Sequence, residues 1–477
     1  MLALTGLLIA GLAAAMAVNA WRLRPEPLAA ALPPAPPVDR AAVARLAEAL
    51  RIPTVSTAGA PPPAPMLAAF HAHLEASFPR VHQTLRREVL AGGTLLYTWP
   101  GRDPAAPALL LAAHQDVVPI DPGSAERWTH PPFAGTVADG HVWGRGAIDD
   151  KASLMAILEA AERLAARGVR PRQTVYLAFG HDEERGGSGA RAVAALLRQR
   201  GARIGLALDE GYAVLDGVLS FVRAPVAVIG TAEKGYVSVE LIARGTGGHS
   251  SMPGGDNAAA RLSRAVAHIF DDQLPARLDG PAGALIDHVA PYADWPMRAV
   301  LANRWLTAPL IRRAFLARPD TAALLRTTTA PTILAAGTKD NVLPQTARAV
   351  INHRILPGDS RAGVLAHDRA MADDPGVRLR ALPGGHEPSR PADPAGPDFA
   401  RLKGLVRVHF PNAVVAPGLV LGATDGRAYE GLARSVLRFM PIVMTPGDLA
   451  RFHGNDERLA VDQYMRAIAF YQALIAG

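Results

Sequence analysis

The chain has 477 residues, 49% of them hydrophobic and 19% charged, with 44 glycines, 41 prolines and no cysteine. At about 150 residues per domain the length allows roughly three domains, the apolar fraction excludes a disordered or fibrous protein, and the missing cysteines exclude disulfides, thiolate metal sites and cysteine nucleophiles, leaving His, Asp and Glu to hold any metal. The net charge of +7 is carried almost wholly by arginine, with only four lysines, and the arginines form none of the basic runs with interleaved aromatics that mark nucleic-acid binders.

Residues 1–20 contain no charge, and residues 2–20 as a helix would extend about 28 Å, close to the hydrocarbon core of a bilayer. They read as a single N-terminal membrane anchor, with a cleaved export signal as the alternative. Arg22 and Arg24 follow the apolar run, which leaves the orientation open. Six prolines between residues 25 and 37 mark an extended, semi-rigid spacer.

Asp39 is placed to cap a helix ending near Leu50, and a second helix is expected over residues 66–78. Residues 108–113 form an apolar strand that runs into His114-Gln115-Asp116. Next comes Asp149-Asp150, adjacent acids after a glycine turn and at the start of a helix over residues 150–167. A strand over 173–179 runs into Asp182-Glu183-Glu184, a helix covers 188–200, and a strand over 204–208 ends at Asp209-Glu210. The alternation implies a mostly parallel sheet with helices on its faces. Metal-type side chains at three strand ends point to the carboxyl edge of that sheet, where ligands bind in open α/β folds.

From residue 231 the pattern changes to strand (233–243), helix (256–270), strands (331–336 and 347–355), helix (361–371) and strand (377–381). This β-α-β-β-α-β order implies a smaller α+β domain inserted into the first. An apolar segment over 271–329 interrupts it, and its part around 301–325 is expected to pack the inserted domain's core, with an acyl-binding wall as the alternative. The glycine- and proline-rich residues 382–397 form a boundary, after which helix and strand patterns resume. The domain plan is therefore an anchor or signal (1–22), a linker (23–38), a catalytic domain in two parts (39–230 and 386–477) and an inserted lid or dimerisation domain (231–385).

A hydrolytic site with two cations needs a carboxylate between them, further His and carboxylate ligands, and one free carboxylate to take a proton from water. The chain supplies these types in order: His114 with Asp116 beside it, Asp149, the pair Glu183-Glu184, Asp209 and His453. Neither a G-x-S-x-G nucleophile elbow nor a G-x-x-x-x-G-K-[ST] phosphate loop occurs.

The segments His114-Gln115-Asp116-Val117-Val118-Pro119, Trp143-Gly144-Arg145-Gly146-Ala147-Ile148-Asp149-Asp150-Lys151, Asp182-Glu183-Glu184 and His453-Gly454-Asn455-Asp456-Glu457 together resemble the di-zinc metallopeptidase family of aminoacylase-1, succinyl-diaminopimelate desuccinylase and carboxypeptidase S. Trp128-Thr129-His130-Pro131-Pro132-Phe133 and Thr327-Thr328-Thr329 are most similar to its carboxypeptidase S and N-fatty-acyl-amino-acid hydrolase branch. The resemblance implies two zinc ions, or cobalt or manganese in their place, bridged by Asp149. One would be held by His114 and Asp209, the other by Glu184 and His453, with Asp116 steering His114 and Glu183 as general base. It further implies substrate contacts from His249, Asn341, Arg354, Gly422 and Arg427, with His249 acting across a dimer or through closure of the lid. The implied activity is hydrolysis of an amide bond in small peptides or N-acyl amino acids bearing a free carboxylate. The alternative is an inactive membrane-anchored binding protein on the same fold.

Overall fold

A computed structural model describes residues 2–219 and 221–477. Its largest sheet has ten strands. The centre is parallel: Ala108–His114 lies between Val175–Gly180 and Ile204–Asp209, and Ala433–Arg438 continues beside Ile204–Asp209. Val414–Val420 runs parallel to Val226–Glu233 farther along. One edge is antiparallel, made by Arg86–Val89 and Leu95–Trp99.

The central strands show why both faces are covered. Leu109, Leu111 and Ala113 join the larger apolar cluster, while Leu110 and Ala112 join a second cluster on the opposite face. Leu177 and Phe179 divide from Ala178 in the same way, as the period of two along a strand requires. Helices Lys151–Ala166 and Val461–Ala476 pack against each other on the first face, and Ser188–Gln199 covers the second. Asp39 caps helix Arg40–Leu50 by accepting from the Ala41 and Ala42 amides.

A separate four-stranded antiparallel sheet is ordered Thr328–Ala336, Thr346–Ile355, Gly235–Arg244 and Val377–Ala381. Together with helices Ala258–Asp271 and Arg361–Ala372 it encloses its own apolar cluster. The residues around 301–325 expected to fill that cluster lie elsewhere, in a run of helices between Ala258–Asp271 and Thr328–Ala336. The run comprises helices Gly280–Val289, Trp295–Ala302, Arg304–Leu316 and Pro319–Leu325, none of which contributes to that cluster. The first packs on strand Val414–Val420 of the large sheet, and Ile286, Leu301 and Ile311 make a small cluster of their own with Leu23. Val289 of the first helix adds to the core of the large sheet.

The proline-rich stretch is extended but not free. Leu28 and Leu32 pack on the main core, the Ala29 amide donates to Pro411 O at 2.9 Å, and Arg466 bonds to Pro33 O. Ordering by prolines lowers the cost of strapping such a segment down.

Candidate metal centre

Five segments bring their polar ends together at the carboxyl edge of the large sheet. His114 is the last residue of its strand and is almost wholly buried. Its Nδ1 donates to Asp116 O at 2.9 Å, which fixes the tautomer and turns Nε2 toward Asp149 Oδ1, 2.8 Å away. The other oxygen of Asp149 lies 2.7 Å from His453 Nε2. Asp149 therefore stands between the two imidazoles. Its loop is held by Glu457, fully buried, which accepts from the amides of Gly146, Ile148 and Asp149 at 2.7–3.0 Å and from Arg145 at 2.7 Å.

The Glu183-Glu184 turn follows strand Val175–Gly180. The carboxylate of Asp116 accepts from both amides, at 3.1 and 3.3 Å, and from Ser56 Oγ at 2.6 Å. Asp116 thus holds His114 through its backbone oxygen and the glutamate pair through its carboxylate. The turn closes through Gly186 and Gly187, both at positive φ. A Cβ at Gly187 would meet Asp425 Oδ1 at 2.0 Å, so glycine is required there.

Where Asp209 was expected, the structure places Glu210. Asp209 is the last paired residue of its strand, opposite Arg438, and its carboxylate lies against Gly426, on the face where Ala207 and Tyr429 pack. Glu210 is the first residue past the ladder, free to turn over the sheet edge, and its Oε1 comes within 3.4 Å of His114 Nε2. Both acids stand at the strand end, and which of the two turns inward depends on where pairing stops.

Donor atoms of Asp149, Glu184 and His453 lie within 4.8 Å of one another, as do those of His114, Asp150 and Glu210. The donors are all imidazole nitrogen and carboxylate oxygen, a set suited to zinc and its neighbours. Their electrostatics match a cation site. Burial raises Glu210 well above the usual carboxylate range, as does nearby Asp149, and burial with Asp425, Glu184 and Asp149 raises Glu183 in the same direction. His453 is pushed up to about 10 by its bonds to Asp149 and Glu184. So much buried negative charge takes up protons unless cations replace them.

The cleft above these residues encloses about 680 Å³, and its wall includes Arg354, Gly422 and Arg427. The Arg354 guanidinium sits 5.0 Å over the Tyr236 ring, and Tyr236 stacks on His386, which accepts from Arg427. Burial and Arg427 lower the pKa of His386, keeping it a neutral acceptor. Thr424 donates to buried Glu233, itself paired with buried Arg438 at 2.6 Å, and this fixes the loop carrying Gly422 and Arg427. His249 and Asn341 do not reach the cleft. They sit together on the short ladder of Gly248–His249 with Val342–Leu343, where His249 Nδ1 accepts from Ser251 Oγ at 2.7 Å.

The sequence reading missed Glu210, Tyr236, His386 and the anchoring role of Glu457. Glu210 and Glu457 lay in segments already singled out by their acids. Tyr236 and His386 carry no local signal, because they meet only when Gly235–Arg244 runs beside the loop after Ala381.

Peptidase family M20/M25/M40 matches residues 110–477. The chain belongs to this family. It is 38% identical over 411 residues to probable carboxypeptidase S-like 2 of Dictyostelium discoideum, covering 85% of this chain and 78% of that protein. It is 36% identical over 432 residues to human N-fatty-acyl-amino acid synthase/hydrolase PM20D1, covering 90% and 86%. The fold matches the M20 family metallo-carboxypeptidase Sso-CP2 of Sulfolobus solfataricus with a TM-score of 0.68 at 17% identity, covering 91% of this chain and 98% of that one. The chain is thus an M20 hydrolase of metallopeptidase type, on the expected α/β fold.

Proposed function

We propose that this M20 enzyme hydrolyses the amide bond of N-acyl amino acids with a free carboxylate, using two zinc ions. The observation that carries the reading is a single cleft in which Asp149, flanked by both histidines, and Glu183 face Arg354. Asp149, His114 and Glu210 would hold one ion, and Asp149, Glu184 and His453 the other. When bound, the ions supply Lewis acidity and lower the pKa of bound water. Glu183 accepts the proton of the attacking water and passes it to the leaving nitrogen. Asp116 keeps Glu183 in place through its backbone amide. Arg354 receives the substrate carboxylate on its planar fork, held flat by Tyr236. Removing it as Arg354→Ala is expected to raise KM about ten- to a hundredfold, in line with about 1.5–3 kcal/mol for a hydrogen bond to a charged group, with a smaller change in kcat.

The acyl side of the substrate has a place behind the cleft. A cavity of about 350 Å³ is lined by Leu215, Leu219 and Phe221 of the catalytic part and by Leu285, Met297 and Phe315 of the helical segment. Tyr212 and Leu421 line it, while their neighbours Gly211, Val420 and Gly422 line the cleft. This supports an acyl-binding wall over core packing for that segment, and with it a long aliphatic acyl group. Steady-state assays across N-acetyl to N-palmitoyl derivatives of one amino acid should show kcat/KM rising with chain length. Filling the cavity with Ala314→Trp should abolish the rise and spare the acetyl substrate. A flat profile in the unaltered enzyme would refute the long-chain reading, and no amide hydrolysis by zinc-loaded enzyme would refute the activity itself. His249, outside the cleft, would contribute only by closure or from a second copy. The N-terminal helix serves as a membrane anchor in this reading.

A further inference from the structure

We propose that helices Trp295–Ala302 and Arg304–Leu316 dock, by their outer face, into the headgroup layer of an anionic phospholipid bilayer that holds helix Leu2–Arg22. The proposal rests on reading Leu2–Arg22 as a retained anchor, and three observations carry it.

The first is a length mismatch. Leu2–Arg22 has 21 residues, about 31 Å of helix, enough for a hydrocarbon core of about 30 Å. Its last third, however, is clasped along one side by protein. Ala20 is fully buried, Asn19 Nδ2 donates to Asn303 Oδ1 at 2.8 Å, and Asn303 Nδ2 donates to Met16 O at 3.1 Å. Residues 4–15 are all exposed. The part from residue 2 to residue 15 accounts for only about 21 Å. The missing ~9 Å falls within the depth of about 5–10 Å to which interfacial helices sink, so the clasp at Asn303 has to enter the interface if the anchor is to span.

The second is what surrounds the clasp. Trp305 is 66% exposed although its indole Nε1 donates to the same Asn303 Oδ1 at 3.3 Å. Leu306 and Leu310 lie on the same outward side of the helix, Leu310 at 59% exposure, while Thr307 and Ile311 face inward. Trp295 on the preceding helix and Trp21 on the anchor are exposed as well. Tryptophans grouped around the end of an apolar helix match the aromatic belt of a membrane interface.

The third is charge. The neighbouring acids Asp287, Asp294 and Asp320 pair with Arg304, Arg223 and Arg318. Among the described residues Arg22, Arg312 and Arg313 are exposed and form no ion pair with a carboxylate, leaving a positive rim for anionic headgroups. The same two helices contribute Met297 and Phe315 to the apolar cavity, which puts that cavity on the bilayer side of the molecule.

The absence of cysteine allows a direct measurement on the full chain. Single nitroxide labels at Ile9→Cys, Leu310→Cys and Val137→Cys, in vesicles of phosphatidylcholine with phosphatidylglycerol, report oxygen against water-soluble nickel-chelate access. The expected result is lipid-type access at 9 and 310 and water-type access at 137, with nickel access at 310 increasing in the Arg312→Gln, Arg313→Gln background. Water-type access at 310 with lipid-type access at 9 overturns the docking and leaves the anchor. Water-type access at 9 as well overturns the anchor. Spin–spin broadening at 310 with water-type access assigns the face to a second copy instead. Equal burial of 310 on phosphatidylcholine alone overturns the anionic preference.

Discussion

Glu183→Gln should abolish most turnover while leaving metal content and thermal stability unchanged. The side chain lines the cleft beside Asp149 and Glu184, and its backbone amide is held by Asp116, so the amide isostere keeps the turn and removes only the proton acceptor. General acid–base groups contribute about 10²–10⁴-fold, and a loss of kcat in that range with KM little changed is expected in steady-state assays. Retention of full activity would mean that another carboxylate takes the proton, and the mechanism proposed above would be wrong.

The second large effect separates two adjacent acids. Glu210→Gln should lower bound metal from two ions toward one, measured by elemental analysis after dialysis, with activity reduced at least a hundredfold. Asp209→Asn should keep both ions, because the Asp209 carboxylate lies against Gly426 and the donor groups that gather around His114 are those of Asp150, Glu183, Glu184 and Glu210. Its loss would be felt as stability, through a buried group that faces Thr424 and the Glu233–Arg438 pair. The reverse pattern, with metal lost only in the Asp209 variant, would restore the ligand set expected from the sequence. Metal uptake should also strengthen as pH rises. His453, held up near 10 without cations, must release its proton before it can ligate. Proton release on zinc addition, followed by calorimetry in buffers of different ionisation enthalpy, checks the sign.

Much of this molecule is legible along the chain because its signals are local. The strand Val377–Ala381 has the bounds that its apolar alternation implies, and Ala108–His114, Ile204–Asp209 and helix Arg361–Ala372 fall within a residue or two of theirs. His114, Asp149, Glu183, Glu184 and His453 could be collected from short motifs, since each stands at a strand end or in a glycine-rich turn.

What is not local had to wait for the fold. The apolar run around 301–325 could have filled the inserted domain; only packing sets Gly280–Val289 against the large sheet and brings the helices after it round to line a cavity. Arg354 and Arg427 are ordinary arginines until strand pairing sets one over Tyr236 and the other against His386. Composition and motif order by themselves determined a His/Asp/Glu metal centre on an α/β sheet, because residue type limits which ligands exist. Tertiary structure sets Glu210 rather than Asp209 beside His114. The ladder ends at Asp209, so its side chain stays on the sheet face, and the next residue is the one free to cross the edge to His114.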